Sequence, residues 1–225
     1  MDESITTYEV DTDFPIPELS SVEAGQNLLF VGPDDVDCRS LGLQFLAGGT
    51  SYDQGSLVIT FDGSVESIIE QYQTFAEEDD LDSLAVIDCS DSEEPPDSLT
   101  DSQYFPVQSP SSLTDIGISF IEYDDTRAEN FVGTRVLVES ITALLEHVPE
   151  ERAFEFINAF VGRFATAGYL GVWTMDSSAH DEQTRSTFEE LFDGIVEFRQ
   201  ADGTAEYRVR GLQDETSEWA SFSDA

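Results

Sequence analysis

The residues whose types and spacing could do chemistry gather behind one short apolar run. Asn27-Leu-Leu-Phe-Val-Gly32 reads as a buried strand, and it leads through Gly32-Pro-Asp-Asp-Val-Asp-Cys-Arg-Ser-Leu41 into a helix. In an open α/β sheet the ligand site lies at the carboxyl ends of the strands, so this strand–turn–helix is the first place to look. The chemistry such a turn usually carries is phosphate binding. That needs glycines whose N–H groups wrap the anion, a lysine on the outer phosphates and a Ser or Thr hydroxyl on magnesium. Here the turn carries Asp34, Asp35 and Asp37. A simpler reading is that Gly32 ends the strand and the three aspartates form a solvated turn that caps the next helix.

Other chemistries fail on inventory. Cys38 and Cys89, with only His147 and His180 for company, make no zinc pattern and read as two buried thiols. There is no nucleophile elbow, no HExxH or CxxC motif, and no G-x-G-x-x-G after the first strand. Asp88 ends a strand beside an acidic stretch and reads as a surface carboxylate. His180-Asp181, after Asp176, reads as a helix cap. No catalytic residue and no metal ligand is assigned.

The elements that must position these residues come from a chain of 225 residues with a net charge of -39, from 48 acidic and 9 basic side chains. All the basic residues are arginines; lysine is absent. Sequence-independent nucleic-acid binding needs clustered basic residues, so this balance argues against it. No apolar run approaches the length of a membrane span, and the acidic start MDESITTYEVDTDF lacks the basic and apolar regions of a signal peptide. The expected compartment is therefore the cytoplasm. The acidity is dispersed along the chain, which fits adaptation to a salt-saturated cytoplasm better than a docking patch for a basic partner, because salt screens carboxylate repulsion.

Apolar patterning predicts strands at Leu57–Phe61, Leu84–Asp88, Arg135–Glu139 and Tyr169–Met175, besides the first. Helices are expected over Ser40–Ala47, Ser64–Ala76 (with Ser64 as N-cap), Glu151–Ala167 and Asp181–Phe192, and a helix start within Ser112–Glu122. Gly194–Phe198 and Ala205–Arg210 flank Asp202-Gly203, a hairpin turn signal. The strands are continuously apolar and alternate with helices. This predicts an α/β fold of three layers, a mostly parallel sheet with helices on both faces and a C-terminal antiparallel hairpin. The predicted boundaries are a flexible acidic arm over 1–21, a domain over 22–212 and an acidic tail over 213–225.

Residues 22–211 resemble the KaiC-like branch of the RecA superfamily of P-loop ATPases, in a form typical of halophilic archaea. Gly25-Gln-Asn-Leu-Leu-Phe-Val-Gly-Pro33 and Ser40-Leu-Gly-Leu-Gln-Phe-Leu46 match the segments on either side of that family's phosphate loop. The resemblance would put glycine at Asp37, lysine at Cys38 and Ser or Thr at Arg39. The acidic motif after the second strand is reduced to Thr60-Phe61-Asp62-Gly63, and Glu139 stands where the Walker B strand should end in Asp. The resemblance thus implies a vestigial nucleotide site at Gly32, Pro33, Asp37, Cys38, Arg39, Ser40, Asp62 and Glu139. The retained Tyr207-Arg-Val-Arg-Gly211 resembles the family element that reaches a neighbouring subunit's nucleotide, which makes Arg208 and Arg210 trans-acting candidates.

The expected function is a non-hydrolysing regulatory or scaffolding subunit. It would act through protein contacts, with copies of itself or with a KaiC-like paralogue whose phosphate loop is intact, and without a cofactor. One alternative is an ATP-binding switch or ATPase in which magnesium bridges Asp37, Asp62 and Glu139. Another is a recombinase accessory that handles nucleic acid.

Overall fold

The structure, a computed structural model, describes residues 5–10, 13–76, 81–90, 95–201, 203–212 and 216–222. Its centre is a nine-stranded sheet. The parallel strands are β3 (Asn27–Gly32), β4 (Gly55–Thr60), β5 (Leu84–Asp88), β6 (Tyr104–Pro106), β7 (Thr134–Glu139), β8 (Leu170–Asp176) and β9 (Gly194–Ala201). β10 (Thr204–Arg210) and the two-residue β11 (Ala220–Ser221) add to one edge antiparallel. The order is β11-β10-β9-β3-β8-β7-β4-β5-β6.

Every residue of β3, β4, β5 and β7 is buried. Side chains alternate across a strand, so each strand feeds two cores. Leu28 and Phe30 point into one core, Leu29 and Val31 into the other. The first core is closed by α1 (Cys38–Ala47) and α2 (Val65–Phe75). The second is closed by α3 (Leu113–Thr126), α4 (Ile141–His147), α5 (Glu150–Ala167) and α6 (Glu182–Glu189). Local chemistry sets the helix starts: Asp37, Ser64, Ser140 and Asp181 each accept a backbone N–H from the first turn of α1, α2, α4 and α6. The three-layer α/β architecture is the expected one, with α4 and β6 as elements the patterning does not reveal.

The expected loose arm is not loose where it is described. Thr7–Glu9 (β1) pairs antiparallel with Ser21–Glu23 (β2), and Tyr8, Phe14, Ile16 and Leu19 are buried in the first core. Burying four such side chains contributes roughly 1.5–3 kcal/mol each, which outweighs the polar composition on which the expectation rested. The tail is likewise docked in part. β11 pairs with β10, and Phe222 packs its ring 5.6 Å from that of Phe198. Residues 1–4, 11–12, 213–215 and 223–225 of the arm and tail lie outside the described residues, as does Asp202 of the hairpin turn. Gly203 takes a left-handed φ of 79°, which glycine accepts without strain.

Candidate functional site

The carboxyl ends of β3, β4, β7 and β8 surround a cleft of about 370 Å³. It brings together seven of the eight residues expected there: Gly32, Pro33, Asp37, Cys38, Arg39, Asp62 and Glu139. Ser40 does not line it; its backbone N–H donates to Asp37 Oδ1 at 2.8 Å. Asp34, Val36, Ser140, Thr174, Met175 and Asp176 complete the wall.

The turn from β3 into α1 spends several of its amide donors on itself. Val36 N–H donates to the Pro33 carbonyl at 2.9 Å and Cys38 N–H to the Val36 carbonyl at 2.8 Å. Asp37 closes the start of α1 by accepting from Ser40 N–H, so its carboxylate sits where a helix N-terminus would otherwise take an anion. Gly32 is required by packing. A Cβ there would lie 2.9 Å from Phe198 Cβ and 3.2 Å from Cys38 Sγ. Cys38 and Cys89 are both buried, and neither is part of a disulfide.

Arg39 leaves α1 and reaches across the cleft floor to Glu139, with Nε 2.9 Å from Oε2. The guanidinium is about a quarter exposed and the carboxylate almost wholly buried. The pair is within ion-pair distance, yet its N–H is not aimed at the oxygen, and neither Arg39 Nε nor Glu139 Oε2 makes a hydrogen bond. Burial pushes the Glu139 carboxyl up to about 8; Arg39 opposes the rise, and Asp62 and Asp37 add to it.

A second small cluster borders the cleft. The Thr142 hydroxyl accepts from Asp176 N–H and bonds His180 Nε2, both at 3.0 Å, and Asp181 caps α6. Ser140 and Thr174 have no sequence signal beyond their places at the ends of apolar strands, and Thr142 none beyond its place in the first turn of α4. The other expected pair lies elsewhere. Arg208 and Arg210 share one face of β10, as alternate strand residues must. Within this chain both bond to Glu197, Arg210 at 3.0 Å and also to Glu189 at 2.9 Å.

These residues do not make a cradle for a magnesium nucleotide. The N–H groups of Val36, Cys38 and Ser40 are bonded within the turn, Asp34, Asp37 and Asp62 line the cleft with carboxylates, and Arg39 is drawn to Glu139. Among the described residues no group of three or more His, Cys, Asp or Glu side chains is arranged to hold a metal ion.

Comparison with known proteins places the chain in a family and gives a likeness of fold. The model of DUF7504, a family of unknown function, matches residues 25–198, and the chain belongs to that family. No curated protein shows significant similarity to it. Among solved structures the chain is similar to a KaiC-like protein, PH0186, from the hyperthermophilic archaeon Pyrococcus horikoshii OT3. The TM-score is 0.66 at 12% identity, over 98% of this chain and 94% of that one. The likeness shows a KaiC-like RecA fold. No helix among the described residues is long and apolar enough to cross a membrane.

Proposed function

We propose that this DUF7504 member is a non-hydrolysing KaiC-like RecA-fold protein that works through protein contacts as a regulatory or scaffolding subunit, in a cytoplasm of concentrated salt. The observation that carries this is the occupation of the cleft by the chain's own groups. Asp37 caps the helix whose amides would hold phosphate, and Arg39 lies against Glu139. Phosphoryl transfer depends on charge placed around the phosphates and their metal, and the residues present place mostly negative charge there. The expected partner is a KaiC-like protein with an intact phosphate loop, toward which Arg208 and Arg210 could be redirected from Glu197.

Calorimetry with ATP and magnesium in about 2–3 M KCl, where surface charge is screened, tests the reading. The expected outcome is no heat and no rise in melting temperature. Micromolar binding would overturn it and return Asp62 and Glu139 to a catalytic argument.

A further inference from the structure

We propose that the cleft is a receptor for an organic cation: the guanidinium or ammonium head of an arginine or lysine side chain presented by a partner protein. The inference rests on the reading that the cleft does not take a magnesium nucleotide. Three observations carry it. The first is charge. Asp34, Asp37, Asp62, Glu139 and Asp176 face the cleft against one guanidinium, that of Arg39. The second is an unmet acceptor. Glu139 is 4% exposed, and its Oε2 makes no hydrogen bond. Arg39 Nε lies 2.9 Å away and pairs with it by charge but not by a hydrogen bond, so a buried acceptor is left that N–H donors on a cation would satisfy.

The third is room. About 370 Å³ remains beside Arg39, within the range of small-ligand clefts, roughly 300–1,000 Å³. An anion finds no net positive charge there, since five carboxylates line the cleft against one guanidinium. A metal ion finds no convergent set of ligands among the described residues. A planar guanidinium or a rotating ammonium needs only acceptors on one side of it. Arg39 already shows the preference, since it leans toward the same carboxylate from within the chain. A contact to the buried Glu139 is also less screened by salt than one between surface charges, so it persists in the concentrated salt expected for this protein.

The test uses the full chain in about 2 M KCl, with calorimetry and thermal melting. The probe is a glycine-flanked peptide with one central arginine; the control carries citrulline, its uncharged isostere, and agmatine serves as the free cation. The arginine peptide should bind and raise the melting temperature, and the citrulline peptide should not. Glu139→Gln should weaken binding about tenfold and Asp62→Asn, on an exposed turn, about threefold. Circular dichroism checks that both variants are folded. No binding of the arginine peptide, equal binding of the citrulline peptide, or unchanged affinity in both variants overturns the proposal. Binding of agmatine without the peptide overturns the assignment to a partner's side chain. ATP with magnesium is titrated in parallel. Nucleotide binding would sink the underlying reading, whereas silence from both nucleotide and peptide would sink this inference alone.

Discussion

β7 carries a charged residue near each end, and the two are treated in opposite ways. Arg135, at its amino end, is fully buried. Its Nε donates to Gln54 Oε1 at 2.8 Å, one terminal nitrogen to the Phe45 carbonyl at 2.7 Å, and the other to the Glu9 carbonyl. The rings of Tyr8 and Phe45 lie 5.8 and 5.4 Å from its guanidinium carbon. Glu139, four residues and roughly 13 Å further along, meets a guanidinium from another element but makes no hydrogen bond through Oε2. The amino end is a lock, because each nitrogen is satisfied and the arm is tied to the sheet through Glu9 and Tyr8. The carboxyl end is held less completely, and incompletely satisfied buried charge is typical of places where something else binds.

The comparison is broken most severely at the lock. Arg135→Ala should cost about 3–5 kcal/mol in chemical denaturation, since it empties a buried volume and strands three acceptors. The same change at Arg39 should cost under about 1 kcal/mol, because Glu139 can take up a proton instead of standing as an unpaired charge. Equal losses at the two arginines would refute the distinction. Next comes Tyr8→Phe. The Tyr8 hydroxyl accepts from Thr134 N–H at 3.1 Å and donates to the Gly168 carbonyl at 2.9 Å, so its loss should cost about 1–3 kcal/mol and expose the arm to proteolysis.

The last test sharpens the carboxyl end through the direction of a pH dependence. An acid whose carboxyl is raised on folding contributes most below its unfolded value and loses that contribution as pH rises through the folded value, here about 8. The groups around Glu139 that set this are Arg39 and Asp37 at the start of α1 and Asp62 after β4. Glu139→Gln removes the titration, so the variant should gain steadily on the wild type between about pH 5 and 8.5. A difference that stays flat across that window in urea melts would show that Glu139 is not raised. At the hairpin, Glu197 is the counter-case. Burial works to raise it, but hydrogen bonds and charge from Arg208 and Arg210 together bring it below the usual range.

Much of the fold was legible because its signals are local. The all-apolar runs at 28–31 and 84–87 announce strands buried on both faces. Ser64 and Asp181 announce helix starts, and both bond as caps. β6 escaped because three residues within a Ser- and Pro-rich stretch carry no period; pairing with β5 makes them a strand. The arm escaped because its burial depends on Tyr8 reaching Thr134 and Gly168, more than a hundred residues away.

The site divides in the same way. The order of residues alone placed Asp37, Cys38 and Arg39 in a loop before a helix, and Glu139 at the end of a strand, because a strand–turn–helix is written in adjacent residues. That Arg39 leans on Glu139 rather than facing solvent was decided by the sheet, whose order β3-β8-β7-β4 brings the carboxyl ends of β3 and β7 together around one cleft. Sequence by itself determined which groups are absent, the lysine and the loop glycines. Only the tertiary structure decided what the remaining charges do, because the energy of a carboxylate depends on what surrounds it in space.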